Sequence, residues 1–563
     1  MAIELLREQL EGIARELAGP EAAELAQLER PRNPEHGDVA TNLALALASR
    51  TKRPPRQLAQ EIISRLDLDT LGVAAAEIAG PGFINFRLAQ ESVIERLREI
   101  ALRDDEFGRS RTGAGEAIIV EWVSANPTGP LHFGHGRQAA LGDAISNLLE
   151  ATGWNVHREF YYNDSGTQME LLARSVWARY QQLLGSPAEI PEGGYHGEYV
   201  LDVARQFLAE SGDRFRGDAS AEALDTMRRF AVRVLRAEQD RDLADFRVRF
   251  DQYFLESALY DEGHVEATIR ALEQTGLVYE HEGALWLRTT EFGDQKDRVM
   301  VRRNGAPTYF LPDVAYHVTK WHRAFHHAIN VQGADHHGTV PRVRAGLQAL
   351  GLPAAYPEYV LHQMVRLERG GEEVKISKRA GSYTTLRELY EMVGVDVARY
   401  FFLMRRPEAH LIFDIDMALD QSEKNPVYKI QYAHARMCSI FTKAGVSRTE
   451  INGESADLAA LGDPGEHVLI KQLAEYANVV EAAARLRAPH LLCDYLEQTA
   501  AAVNSWYHAG NPSRNPELSV LVDNARLREA RLVLALGIQI VLRNGLGLLG
   551  LSAPERMERE DSE

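Results

Sequence analysis

The chain has 563 residues and a formal net charge of −18, with 45% hydrophobic and 26% charged residues. That length exceeds what one hydrophobic core organises, so two to four domains are expected, and the composition is that of an ordinary globular protein rather than a disordered or fibrous one. No run reaches the eighteen or so unbroken apolar residues of a membrane span; the longest apolar stretch, 532–542, contains Gly537 and Gln539. The opening residues, MAIELLREQLEGIARELAG, are acidic and amphipathic rather than basic and then apolar, so a cytoplasmic protein is expected. Cys438 and Cys493 lie far apart and form no CxxC pair, which argues against a disulfide framework and a structural zinc site. The acidic balance leaves only local basic runs for a nucleic acid: Arg302-Arg303, Lys320 to His327, Lys378-Arg379 and Arg405-Arg406. Each of these alone reads as solvated surface.

In chain order, residues 1–112 mix helical patterns with short extended pieces, among them a helix-like TNLALALASR (Thr41–Arg50) and an extended GPGFINFRL (Gly80–Leu88). They predict an α+β domain, followed by the polar, glycine-rich linker RSRTGAGE that ends at Glu116. The second domain, 113–405, opens with AIIVEWV (Ala117–Val123), a continuous apolar and β-branched run typical of a buried parallel strand. A turn over Ser124–Pro130, an amphipathic helix from Gly134 to about Ala151, a stop at Gly153 and a strand at Trp154–Tyr162 complete a βαβ unit. Its right-handed crossover predicts an α/β, Rossmann-type parallel sheet with the ligand crevice at the C-terminal ends of the strands. Further strands are predicted at His326–Gly333 and EYVLHQMVRL (Glu358–Leu367), beyond a helical insertion at about 170–280. From about Ala398 almost every segment reads as helix, so 406–563 is predicted to be an all-α bundle.

The turn after the first strand carries His132-Phe133-Gly134-His135. Two imidazoles at a helix N-terminus can donate hydrogen bonds to phosphate oxygens, and Gly134 lets a nucleotide approach the backbone. In isolation the tetrapeptide reads as a solvated histidine pair; its place directly after a buried strand raises it. Much later comes Lys375-Ile376-Ser377-Lys378-Arg379, followed by Ala380-Gly381. Two lysines three apart beside a glycine suit a triphosphate whose charge grows on the leaving pyrophosphate, although basic surface loops are common.

Taken together, HFGH and KISKR resemble the HIGH and KMSKS hallmarks of class I aminoacyl-tRNA synthetases, with Phe for Ile in the first, and Ile for Met and Arg for Ser in the second. The surrounding text is similar to the arginyl branch: VEWVSANPTGPLHFGHGR (Val120–Arg137), YYNDSGTQ (Tyr161–Gln168), YFLPDVAYH (Tyr309–His317), GADHHG (Gly333–Gly338), VKISKRAG (Val374–Gly381), DVARYFFL (Asp396–Leu403) and NPVYKIQYAHAR (Asn425–Arg436). The resemblance extends from about His36 to the last helix. It implies an arginine–tRNA ligase that forms arginyl-adenylate and pyrophosphate from arginine and ATP, with Mg²⁺ carried on ATP, and passes the arginine to the 2′-hydroxyl of the terminal adenosine of tRNA(Arg). It also implies roles: His132 and His135 on the phosphates, Gly134 under the nucleotide, Asp335 near the ribose, and Lys375 and Lys378 on the β- and γ-phosphates.

A guanidinium calls for bidentate carboxylate partners in a partly desolvated pocket. By resemblance these are Glu121 and Asp313, with Tyr309 adding a hydroxyl and Asn126 holding the α-amino and carboxylate groups. Some members of the family place a glutamine for the α-amino group near where this chain has Ala334, so that contact is either lost here or made by another residue, for which Gln332 is a candidate. For tRNA, the resemblance implies D-loop contacts by the region of Phe83 and Asn85 and anticodon contacts by the terminal bundle, where Tyr428, Tyr432, His434 and Arg436 recur at helical spacing. Core packing competes as an explanation of Phe83 and of the tyrosine stripe. A monomer is expected. The alternative, a non-catalytic tRNA-binding paralogue, is opposed by the retention of both histidines and both lysines; synthetases of the cysteine or methionine type are opposed by the missing cysteine ligands.

Overall fold

The structure is a computed structural model that describes residues 2–29, 31, 36–164, 166–374 and 385–557. At the N-terminus, helices Ala2–Ala18, Leu43–Thr51 and Pro55–Arg65 cover one face of an antiparallel sheet whose central strand is Phe83–Leu88. Leu6, Leu10, Leu43, Leu58, Ile84 and Phe86 form its own core. That core closes at Leu88. The next helix, Gln90–Arg103, was expected inside the first domain, but it buries Leu97 and Ile100 against helices Pro464–Ala474 and Ala525–Leu548 of the C-terminal bundle. An ion pair of 2.6 Å between Asp38 and Lys471 fastens the N-terminal unit to the same bundle.

Five parallel strands make the central sheet: β1 (Ala117–Glu121), β2 (Asn155–Tyr162), β3 (Gln252–Leu255), β4 (His327–Gly333) and β5 (Glu358–His362), in the order β5-β4-β1-β2-β3. The order reverses between β1 and β4, which opens a crevice at their C-terminal ends. Helix α1 (Phe133–Ala151) packs on one face, where Gly142 lets it close on the Trp122 indole. Helix α2 (Phe310–His322) lies on the other.

Two sequence expectations change. EYVLHQMVRL is not one strand: it ends at His362, Gln363 turns its N–H to the Pro407 carbonyl, and Val365–Arg369 joins a separate small sheet with Leu411–Asp414. The insertion is not wholly helical either. Helices Thr167–Leu183, Glu198–Ser211 and Ala221–Asp245 form one compact unit, the chain then returns to the main sheet as β3, and an antiparallel sheet of Val278–His281, Ala284–Leu287 and Arg298–Val301 follows. Strand β3 escaped notice because QYFL is short and begins with a polar residue.

The bundle comprises α3 (Pro426–Ala444), three further helices between 464 and 509, and α4 (Ala525–Leu548). By length and hydropathy α4 could cross a membrane, yet 78% of its apolar window is buried inside the bundle. Beyond α4 the chain is clasped by the other domains. Arg399, fully buried, forms an ion pair with Asp143 of α1 and donates to the carbonyls of Phe246 and Leu549. The Ser552 N–H reaches Asp396 at 3.0 Å, and the Pro554 carbonyl accepts from His434.

Candidate active site

The crevice is built first by a strained turn. After β1, Val123 and Ser124 both take positive φ angles, 69° and 44°, an unfavourable conformation for a β-branched valine. The turn is held from outside by Gln239 of the helical insertion, whose amide donates to the carbonyls of Asn126 and Gly129. It delivers Asn126 to the rim, where its amide donates to Gln168 Oε1 at 2.6 Å. Gln168 ends the YYNDSGTQ segment, so two separate sequence motifs meet there.

At the start of α1 the two histidines cap the helix with each other's help. His132 Nδ1 accepts from the Gly134 N–H, His135 Nδ1 accepts from the His132 N–H, and the rings stack with centroids 3.7 Å apart. Because each Nδ1 is an acceptor, the proton of a neutral ring sits on Nε2, the donor needed for a phosphate oxygen. Gly134 has a local reason as well: a Cβ there would lie 2.9 Å from the His132 ring. The chain returning at Thr385 forms a bridge with His132, and the Leu386 N–H donates to the Leu131 carbonyl. Lys375 and Lys378 lie outside the described residues. Asp335 follows β4 as an exposed residue across the crevice, with its carboxylate folded over Gly333.

The opposite face of the sheet is acidic. Glu121, on β1, is 4% exposed; its Oε1 accepts from the Ser124 hydroxyl and its Oε2 from Lys320 Nζ at 2.6 Å. Asp313, in the first turn of α2, has neither an ion pair nor a hydrogen bond on its carboxylate among the described residues. Burial, then the nearby Glu256 and Glu121 charges, push its carboxyl up to about 7, with only partial relief from Arg342. A half-buried acid crowded by two others, with no ion pair among the described residues, is costly to ionise, and it marks a place where a cationic ligand is favoured.

Glu256, directly after β3 and nearly buried, accepts from the Tyr161 hydroxyl at 3.0 Å. Sequence reasoning missed it, although an acid directly after a sheet strand is the same signal that drew attention to Glu121. Tyr309 caps α2 at the mouth of the pocket and is 75% exposed. Gln332 lies on the same face of β4 as Asn330, two residues nearer the crevice.

The remaining expected residues divide. Phe83 is half-buried and Asn85 buried, on the strand face away from Ile84 and Phe86, so Phe83 is not part of the N-terminal core. Along α3, Tyr428 and Tyr432 stack with centroids 6.0 Å apart, and the Arg436 guanidinium lies 4.4 Å over the Tyr432 ring and 4.9 Å over Tyr507. His434 points elsewhere: it is buried between Pro554 and Gln539 and belongs to the packing of the tail. The basic run Lys320 to His327 is not a basic face, since Lys320 is wholly buried and Arg323 is paired with Glu159.

Comparison with known proteins covers almost the whole chain. Residues 3–88 match the arginyl tRNA synthetase N terminal domain, 97–400 the class I (R) tRNA synthetase catalytic domain and 430–557 the DALR anticodon binding domain. The arginine–tRNA ligase of Thiobacillus denitrificans is 51% identical over 97% of both chains, and that of Bordetella avium is 51% identical over 97% of this chain and 98% of its own. Among solved structures, the Thermus thermophilus arginyl-tRNA synthetase superposes with a TM-score of 0.78 at 26% identity, covering 98% of this chain and 100% of the other. With a class I catalytic domain matched over 97–400 and curated relatives 51% identical over 97% of its length, this protein belongs to the arginyl-tRNA synthetase family of class I tRNA synthetases.

Proposed function

We infer that this ATP-dependent ligase of arginine and tRNA divides its work between the two faces of the parallel sheet. Asp313 and Glu121 receive the guanidinium, Glu256 adds negative potential behind them, and Tyr309 closes the mouth. Asn126 and Gln332 hold the α-amino and carboxylate groups. On the other side of the crevice His132 and His135 donate from Nε2 to ATP phosphates, Gly134 lies under the nucleotide, Asp335 reaches the ribose, and Lys375 and Lys378 neutralise the β- and γ-phosphates. Mg²⁺ arrives on ATP, held by phosphates and water.

A carboxylate oxygen of arginine attacks the α-phosphorus in line and pyrophosphate leaves with the P–O bonding pair. No side chain need act as a nucleophile, so catalysis rests on alignment and on stabilising the charge that builds up on the departing phosphates. The 2′-hydroxyl of the terminal adenosine of tRNA(Arg) then attacks the activated carbonyl, and AMP departs. By family likeness the first step needs bound tRNA. Phe83 and Asn85 are assigned to the D-loop, and Tyr428, Tyr432 and Arg436 to the anticodon, where a stacked aromatic and guanidinium ladder suits unpaired bases. The enzyme is taken to act as a cytoplasmic monomer.

One observation carries the pocket assignment: the half-buried Asp313 carboxylate stands near two other acids and has no ion pair among the described residues. A site whose buried acids need a bidentate cation disfavours citrulline and lysine, by a factor on the order of 10⁴ for a full mismatch of polar partners.

The test is charging of total tRNA with arginine, lysine, cysteine and methionine, with and without ATP. ATP-dependent charging by arginine alone is the expected result. Charging by another amino acid would overturn the pocket, and tRNA binding without charging would return the non-catalytic paralogue. Asp313→Asn should raise the arginine KM roughly a hundredfold and leave the ATP KM unchanged.

A further inference from the structure

Behind the acidic pocket runs an unbroken chain of hydrogen bonds that no substrate atom need touch. Ser124 Oγ donates to Glu121 Oε1 (2.9 Å), and Lys320 Nζ donates both to Glu121 Oε2 (2.6 Å) and to Asn330 Oδ1 (3.0 Å). Asn330 Nδ2 donates to His317 Nε2 (2.7 Å), and His317 Nδ1 donates to the main-chain carbonyl of Asp313 (2.7 Å). Glu121, Lys320, Asn330 and His317 are all buried, and the Lys320 ammonium lies 4.2 Å from the centre of the Tyr316 ring. The chain thus begins at one guanidinium-binding acid and ends at the other.

Three features separate this from ordinary core packing. A lysine wholly inside a protein is rare, because an apolar side chain of the same volume is usually as stable or more so. Each Glu121 oxygen gives one lone pair to the network and keeps another, so the carboxylate is held in place yet still able to accept two N–H groups from a planar cation. The helix register supplies the rest: Asp313, His317 and Lys320 occupy positions i, i+4 and i+7, one face of α2 turned to the sheet. Burial keeps His317 neutral, its imidazole pushed down to about 3, so it is free to accept from Asn330 while donating to Asp313.

We propose that Lys320, with Asn330 and His317, forms a positioning set that fixes the separation and orientation of Glu121 and Asp313 and thereby sets selectivity for a guanidinium over other side chains. Lys320 compensates the Glu121 charge in the empty pocket without covering the edge that faces the ligand. Asn330 fixes the ammonium, and His317 ties that arrangement to the first turn of α2, where Asp313 sits.

The assignment rests on the pocket reading above, and the experiment separates the two. Arginine and ATP KM values, kcat, and the ratio of kcat/KM for arginine over homoarginine and citrulline are measured for Lys320→Met, Lys320→Arg, Asn330→Ala and Asp313→Asn in the full-length enzyme with tRNA. Lys320→Met is expected to raise the arginine KM roughly tenfold to a hundredfold, the range seen when an outer partner of a ligating group is lost, with the ATP KM unchanged and selectivity narrowed. Lys320→Arg should recover most of the affinity, because it restores the cation. Asn330→Ala, which removes no charge and serves if Lys320→Met does not fold, should raise the arginine KM roughly tenfold.

An arginine KM and selectivity that stay at parental values in both Lys320→Met and Asn330→Ala, or in Asn330→Ala alone if Lys320→Met does not fold, would overturn the proposal while Asp313→Asn remains impaired. If Asp313→Asn is equally unaffected, the pocket itself is misassigned and the positioning set falls with it.

Discussion

The two faces of the parallel sheet solve opposite problems with the same strands. On the side of α1 the strands present Ile118, Val120, Phe160, Ile329 and Val331, all buried in one large apolar core. On the side of α2, Asn330, Glu121 and Glu159 stand next to one another in register on β4, β1 and β2, and Lys320 and Arg323 come down on them from the helix. Burial pushes the Glu159 carboxyl up, but His157, Lys320 and Arg323 outweigh it and hold it down at about 2. The dry face gives α1 a rigid seat, and the helix then presents its two histidines at the crevice. The polar face gives no such simple packing, but it fixes charges at defined positions. A site for phosphates needs donors at the end of a firmly held helix; a site for a guanidinium needs acids that stay buried without collapsing onto one another.

This division can be broken one side at a time. The largest effect is expected from His135→Ala, which removes a donor proposed above for the phosphates: kcat for adenylate formation should fall on the order of 10²- to 10³-fold while the arginine KM holds. A parallel rise in the arginine KM would show that the two faces are not separable.

Next comes pH. Before arginine binds, the Asp313 carboxyl, raised to about 7 by burial and by the Glu256 and Glu121 charges, holds a proton below that pH. If Asp313 holds the guanidinium as proposed, the cation pairs with the anion and must displace that proton. The arginine KM should therefore rise as pH falls below about 7, by up to tenfold per unit, with no matching change in the ATP KM. An arginine KM that is flat between pH 5.5 and 8 would sink this account of Asp313.

The smallest effect concerns the dry face. In Gly142→Ala the new Cβ would run into the Trp122 indole, so a loss of about 1–3 kcal/mol is expected from overpacking, only partly offset by a helix-propensity gain of about 1 kcal/mol. Thermal or urea unfolding measures this, and the arginine KM should not move.

How legible each face was in the sequence follows from the same contrast. The strand, turn and helix around HFGH are local, written in one stretch from Ala117 to Ala151, and pattern reasoning reads them directly. The acidic pocket is assembled from four strands and a helix. Glu121 and Asp313 came from resemblance, whereas Glu256 and Lys320 depend on where β3 and α2 sit in three dimensions. Lys320 was even grouped with a surface run, although its spacing from Asp313 and His317 puts it on the inward face of α2. The packing partner of Gln90–Arg103 was hidden for a related reason: the helix is amphipathic, and amphipathicity states that a face is buried without stating against what.

Residues 549–554 lie far along the chain, yet the carbonyl of Leu549 and the N–H of Ser552 complete the surroundings of Arg399 and Asp396, which join the bundle to α1 and to the loop at Phe246. A ribosome delivers the chain from the N-terminus, so the catalytic sheet is synthesised well before the segment that seals its junction with the bundle. The sheet residues are therefore made before the Leu549 carbonyl that accepts from Arg399, which arrives only with the end of α4. Folding yield should then be sensitive to how fast the last part of the message is translated, even though that part encodes none of the residues at the crevice.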